Sequence, residues 1–295
     1  MEILTVENLS KNYGNIKALK NVSFSVPSGT VFGILGPNGS GKTTLLGIIM
    51  DVLKASGGGY RIFGAEPTNT QRKQIGTLLE TPNFYHYLTA VQNLKIAASI
   101  KEKGEDDIDR VLDIVNLTNR KNSRFNTYSL GMKQRLAIGA ALLGNPDVLV
   151  FDEPTNGLDP VGIAEIRELI KKLSKQGKTI IMASHLLDEV EKVCTHVAIL
   201  KQGTLITHGD VNEILVNEDM VELSAADLQQ LQNTMIKMPG TSKVDAADKV
   251  VRVFFPSGQA DLSAINQFCF NNGIILSHLQ LKKKSLESKF FELTN

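Results

Sequence analysis

"VFGILGPNGSGKTT", residues 31–44, joins a buried strand to a helix through a loop rich in glycine. Gly36 to Thr43 fits G-x-x-x-x-G-K-[ST]. In that pattern glycines let backbone N–H groups turn inward around phosphate oxygens, and the following helix adds its N-terminal dipole. The reading assigns Gly36, Pro37, Asn38, Gly39, Ser40, Gly41, Lys42, Thr43 and Thr44 to a nucleotide site. Lys42 is placed to reach the β- and γ-phosphates, and Thr43 to offer its hydroxyl to Mg²⁺. A glycine-rich turn with a solvated lysine is the plain alternative. The strand before the loop, and the helix from Thr43 to about Val52, favour the phosphate site.

"VLVFDEP", 148–154, supplies what the loop lacks. Asp152, at the C-terminal end of a buried strand, stands where a metal-holding carboxylate belongs in an enzyme with such a loop. Glu153, one step further, is placed to polarise an attacking water. Alone, a strand ending in solvated acids explains both residues equally well. Beside the loop, they imply a Mg²⁺-dependent nucleoside triphosphatase, and no residue offers itself as a phosphoacceptor.

The chain has 295 residues, 42% hydrophobic and 21% charged, with a net charge of +1. That is ordinary globular composition, and bulk electrostatics give no argument for nucleic acid or an anionic membrane. Cys194 and Cys269 have no metal-like or redox-like spacing, which suits a reduced cytosolic protein. No apolar run approaches the roughly 18 residues of a membrane helix, and the first residues lack a basic-then-apolar signal pattern. The expected location is the cytoplasm, with room to dock on a membrane protein.

Strands are predicted at 3–8, 21–26, 31–35, 59–63 and 74–79, with helical periodicity from about 90 to 143. A strand at 147–151, a helix at 160–175, a strand at 178–183, a helix at 186–193 and strands near 196–209 complete an α/β alternation. The texture changes after about Asn217. Strands at 220–224, 241–246, 249–255 and 273–281, helices at 225–236 and 260–271, and a short final helix give the order βαββαβ. That order matches a small ferredoxin-like sandwich. The expected domains are 1–217, with a helical subdomain at about 88–145, and a small α+β accessory domain at 218–295.

"YSLGMKQR", 128–135, narrows the class. Ser129 caps a helix and Gly131 leaves N–H groups exposed at its start, a second anion-binding helix N-terminus. One chain has one phosphate loop, so a second γ-phosphate clamp suggests that two chains sandwich each nucleotide. The order of motifs over about 1–215 resembles the ATP-binding cassettes of ABC transporters, with Leu130 and Met132 replacing the more common Gly and Gln. The resemblance implies a cassette of mixed sheets plus a helical subdomain, binding ATP and Mg²⁺. It further implies that Tyr13 stacks on adenine, that Asp159 in "NGLDP" communicates between paired cassettes, and that His185 in "ASHLLDEV" contacts the γ-phosphate. Each has a plainer alternative: Tyr13 as core filler, Asp159 as a helix cap, His185 as another helix-start residue.

Glu80, in "IGTLLETPNFYHYL" (75–88), lies where most such cassettes carry a glutamine touching Mg²⁺ or the attacking water. As an ionised acceptor it adds an anion near the metal, and this is its implied role. "IGTLLETPNFYHYLTAVQNL", "YSLGMKQRLAI" and "DPVGIAEIRELI" are similar to cassettes of bacitracin-type and lantibiotic self-protection exporters, in which a glutamate is usual there. The tail "KKKSLESKFFELTN" (282–295) resembles the end of antibiotic and multidrug export cassettes. Together these imply an ATPase subunit, paired with a second copy and docked on a separate integral-membrane permease at the inner face of the cell membrane. Glu153, His185 and Lys42 are its expected catalytic residues. A soluble ATPase in translation or repair is the rival reading. Translation-type members usually pair two cassettes in one chain, and the interval between Lys42 and Ser129 leaves no room for a repair-type coiled coil. A regulatory module that never turns over is disfavoured by Glu153.

Overall fold

The computed structural model describes residues 1–79, 83–215, 219–247, 249–256, 258–282 and 290. They fall into two compact units, Met1–Gly209 and Asp210–Asn295.

The first unit opens with β1 (Glu2–Tyr13) and β2 (Ile16–Pro27), then β3 (Val31–Leu35) and α1 (Lys42–Ile49). Next come β4 (Gly57–Ile62), α2 (Asn69–Arg72), β5 (Ile75–Leu78), α3 (Ala90–Lys101), α4 (Ile108–Ile114) and α5 (Leu130–Leu142). It closes with β6 (Val148–Asp152), α6 (Pro160–Lys175), β7 (Thr179–Ser184), α7 (Leu187–Glu191), β8 (His196–Lys201) and β9 (Thr204–Asp210).

The described strands of this unit form two sheets. One is three-stranded, in the order β2-β1-β4, and antiparallel. The other is six-stranded, in the order β5-β6-β7-β3-β8-β9, with β5, β6, β7, β3 and β8 mutually parallel. Strands β3, β6 and β7 are buried at every residue, as strands covered on both faces are. Helix α1 joins the two sheets. Its Leu45, Leu46, Ile48 and Ile49 share one core with Leu4, Val6, Leu19, Val22 and Phe24 of the antiparallel sheet and with Ile34, Val150 and Ile181 of the parallel one. Each such side chain contributes about 1.5–3 kcal/mol of burial, so the loop before α1 is anchored by a well-packed helix.

The first hairpin is longer than its apolar residues suggest. Pairing runs from Glu2↔Pro27 to Tyr13↔Ile16 and turns at Gly14, whose φ is +56°. Helix α2 is absent from the sequence-based expectation. It is held by a capping box in which the Thr68 hydroxyl accepts from the Gln71 N–H and the Gln71 side chain accepts from the Thr68 N–H. Helices α3 and α5 are likewise capped, by Thr89 and Ser129.

The second unit contains α8 (Val211–Leu215), β10 (Asp219–Ala225), α9 (Leu228–Met235), β11 (Lys243–Ala247), β12 (Val250–Phe255), α10 (Leu262–Asn271) and β13 (Leu276–Lys282). Its four-stranded sheet is antiparallel, in the order β11-β12-β10-β13. With α9 and α10 this is the ferredoxin-like arrangement. One sheet face, through Val221, Leu223, Val251, Val253 and Phe255, packs on Leu231 and Met235 of α9 and Ile265 and Cys269 of α10. Both helices start two or three residues later than expected because Asp227 and Asp261 are caps, not helical residues. The expected final helix lies outside the described residues, apart from Phe290.

Candidate functional site

Three adjacent parallel strands end on one edge of the central sheet. Gly36 follows β3, Glu153 follows β6 and His185 follows β7, which lies between the other two. Register pairs Leu35 with Ser184 and Asp152 with Ala183, so the three following loops emerge side by side. Carboxyl ends of parallel strands are where open α/β sheets form their sites.

The loop from Gly36 to Gly41 has two glycines where a side chain is excluded, Gly36 and Gly41. Gly41 has φ +106°, and a Cβ there would lie 2.6 Å from the Ala18 carbonyl oxygen. Helix α1 then starts without a side-chain cap, unlike α3, α5 and α6. Its first N–H groups therefore point out of the helix end with no side chain accepting from them, the arrangement that suits an anion. The Ser40 hydroxyl within this loop is buried and has no hydrogen-bond partner among the described residues.

Lys42 is buried, and its Nζ donates to the carbonyls of Gly36 at 2.8 Å and Pro37 at 3.3 Å. The same ammonium lies 3.4 Å from Glu153 Oε1, while His185 Nδ1 lies 2.8 Å from Glu153 Oε2. Glu153 is thus the hub of a Lys–Glu–His chain. Its backbone takes φ +47°, in the left-handed region. That conformation costs a non-glycine residue roughly 1–2 kcal/mol. It is held by the Glu153 N–H donating to Ala183 O at 3.0 Å and the Asn156 N–H donating to Glu153 O at 3.1 Å. Held strain of this kind clusters at functional sites.

A pocket of about 420 Å³ opens above this chain, lined by Asn38, Gly39, Gly41, Lys42, Thr43, Thr44, Glu153 and His185. Ala18 and Asn156 also line it. Sequence reading named neither. Asn156 was within reach of it as a polar residue just after the acidic pair, whereas Ala18 comes from β2 and carries no chemical signal. Asp152 is buried at the end of β6. Gly36 and Pro37 form the start of the loop as the carbonyl acceptors of Lys42.

Other expected residues lie elsewhere. Tyr13 is half exposed at the end of β1, with the Lys11 ammonium 5.0 Å from its ring centroid. It is therefore not core filler. Ser129 and Gly131 start α5 outside the pocket, and the Ser129 hydroxyl accepts from the Met132 N–H at 3.3 Å. Next to them, burial pushes the Tyr128 hydroxyl above its ordinary pKa, and it donates to Arg120 O at 2.8 Å. Leu130 reaches the 156–159 loop: its Cδ2 lies 3.3 Å from where a Cβ on Gly157 would stand. Asp159 caps α6, accepting from the Gly162 N–H at 2.8 Å. Glu80 lies outside the described residues. Tyr85 is held by Asn93, which accepts from the Tyr85 N–H at 2.8 Å and donates to Tyr85 O at 3.1 Å.

Comparison with known proteins agrees with this geometry. Residues 19–156 match the ABC transporter family. The chain is 32% identical over 297 residues to the bacitracin transport ATP-binding protein BcrA of Enterococcus faecalis, covering 99% of this chain and 96% of that protein. It is 37% identical over 204 residues to the lantibiotic transport ATP-binding protein SrtF of Streptococcus pyogenes, covering 69% of this chain and 89% of that protein. Among solved structures, a dimeric post-hydrolysis state of an ATP-binding cassette bound to ADP and Pi aligns with a TM-score of 0.63 at 28% identity. The alignment spans 70% of this chain and 98% of that one. Kinship over nearly the whole length, a phosphate loop and an acidic strand end on one sheet edge identify the chain as a member of the ABC transporter ATP-binding family.

Proposed function

We propose that the chain hydrolyses ATP and couples that reaction to export of an amphiphile, such as an antimicrobial peptide or antibiotic, through a separate membrane permease. The observation that carries this reading is the Lys42–Glu153–His185 chain lining the pocket at the phosphate loop. The full-length kinship to a bacitracin transport protein supports the export role over a soluble ATPase. Among the described residues no helix is long and apolar enough to cross a membrane, so transport needs a partner that does. Tyr85 and Tyr87, which follow Glu80 closely in sequence, are exposed and support a protein contact, and exposed Ile100 lines one groove with Tyr85.

In this reading the loop N–H groups, Ser40 and Lys42 hold the phosphates, with Thr44 beside them. Tyr13 stacks on the base. Glu153 orients and polarises the attacking water, and His185 keeps the carboxylate aimed while reaching the γ-phosphate. Positioning and electrostatics supply most of the catalysis. The Thr43 hydroxyl and the Asp152 and Glu80 carboxylates are oxygen donors of the kind Mg²⁺ takes. Bound there, Mg²⁺ would neutralise charge on the phosphates. Ser129 and Gly131 lie outside their own chain's pocket, which supports their serving the nucleotide of a second copy. The nucleotide-binding domain is proposed to span 1–217, with its helical subdomain at about 88–145 and the accessory domain at 218–295, on the cytoplasmic face of the membrane.

The test is the turnover of Glu153→Gln. Removing a positioned base lowers the rate by about 10²–10⁴, and ATP binding is expected to persist. Near-normal turnover would remove Glu153 from its role.

A further inference from the structure

Helix α7 is five residues long and has no side-chain cap. So short a helix has no stability of its own in water. Yet it follows His185 after a single residue. Two contacts hold it. Val190 is fully buried against β3, where a Cβ on Gly33 would come within 2.8 Å of Val190 Cγ1, so the strand glycine forms the notch. One position earlier, Glu189 accepts from Arg167 Nη1 on both oxygens, at 3.1 and 2.9 Å, and from Lys192 Nζ at 3.0 Å. Arg167 and Glu189 are only 22% and 16% exposed.

Arg167 belongs to α6, the helix that follows Glu153 through the 154–159 loop. The ion pair therefore ties the helix after Glu153 to the helix after His185. Those two residues meet at 2.8 Å. We propose that Arg167 and Glu189 are a positioning pair that holds the His185 ring on the Glu153 carboxylate. This rests on the reading that Glu153 and His185 act in hydrolysis. A mostly buried carboxylate that loses its guanidinium keeps only the more exposed Lys192 ammonium and turns toward water. The helix it belongs to then keeps Val190 as its fully buried anchor, and His185 shifts.

The experiment is a double-mutant cycle on ATP turnover, with kcat, KM and nucleotide affinity measured for wild type, Arg167→Gln, His185→Ala, the double variant and Glu153→Gln. Arg167→Gln is expected to lower kcat on the order of tenfold through misplacement, with nucleotide affinity unchanged. In the His185→Ala background the same substitution is expected to have no further effect. Exchanging the pair, Arg167→Glu with Glu189→Arg, restores part of the rate. An unchanged kcat in Arg167→Gln, or the same loss in both backgrounds, overturns the proposal. If Arg167→Gln does not fold, Arg167→Lys keeps the charge and loses the planar fork. Its smaller loss should again vanish without His185, and a rate equal to wild type overturns the proposal. Normal turnover by Glu153→Gln overturns the underlying function instead, which separates the two failures.

Discussion

Gly41 shows how little latitude the phosphate loop has. Its φ of +106° and the 2.6 Å approach of the Ala18 carbonyl leave no space for a methyl group. Gly41→Ala is therefore expected to weaken ATP binding by at least about tenfold, the equivalent of 1.4 kcal/mol, without unfolding the core behind it. Equilibrium titration with a fluorescent ATP analogue measures this, and wild-type affinity would show that the loop does not cradle phosphate. Glu80 makes a different prediction. Its removal in Glu80→Ala should leave ATP affinity intact and change the Mg²⁺ dependence of turnover, because a charge beside the metal is lost. Superimposable Mg²⁺ titrations would show that Glu80 takes no part at the metal. Most of the site was legible at this scale, because phosphate chemistry demands particular residue types at fixed spacing. The backbone strain at Glu153 and the Arg167–Glu189 pair were not, since neither has a local sequence pattern.

Among elements, the strand β10 carries the clearest electrostatic device. Glu222 is buried on it, accepting from Lys282 Nζ at 2.6 Å and Arg252 Nε at 3.1 Å. The Lys282 and Arg252 contacts outweigh burial and hold its carboxyl below the usual range. A lowered folded pKa contributes stability above the unfolded value, about 4.3, and loses it as pH falls through the folded value. Glu222→Gln should cost about 1–2 kcal/mol near neutrality, the lower part of the range for charged hydrogen bonds because both partners are half exposed. The difference from wild type should shrink as pH drops below about 4. Amide hydrogen exchange of β10 and β12 in the full chain reads this directly. Equal protection in both proteins at neutral pH would contradict it.

Helix α6 was readable end to end, because Asp159-Pro160 marks its start and its apolar residues keep a helical period. The outer parts of β1 and β2 were not. Lys11, Asn12 and Lys17 look like loop residues and are extended only because they pair across the hairpin. Helix α2, one capped turn, is too short for periodicity to register; its T-x-x-Q box was the available signal.

Across the molecule, the βαββαβ order of the second unit was legible from alternation and turn residues, whereas its strand order depends on long-range pairing that no local pattern encodes. Every nucleotide motif precedes Asn217, and each unit has its own core. A chain ending at Asn217 is expected to stay soluble and bind ATP with affinity near that of the full chain, measured by the same titration. Loss of ATP binding would show that the core depends on the second unit. Completion of the pocket at Lys42, Glu153 and His185 by Ser129 and Gly131 of a second copy is the core of the proposed function. Its most direct test is the molar mass of Glu153→Gln by light scattering, with and without ATP and Mg²⁺. A monomer that becomes a dimer on adding ATP is expected; a protein that binds ATP and remains monomeric would contradict it.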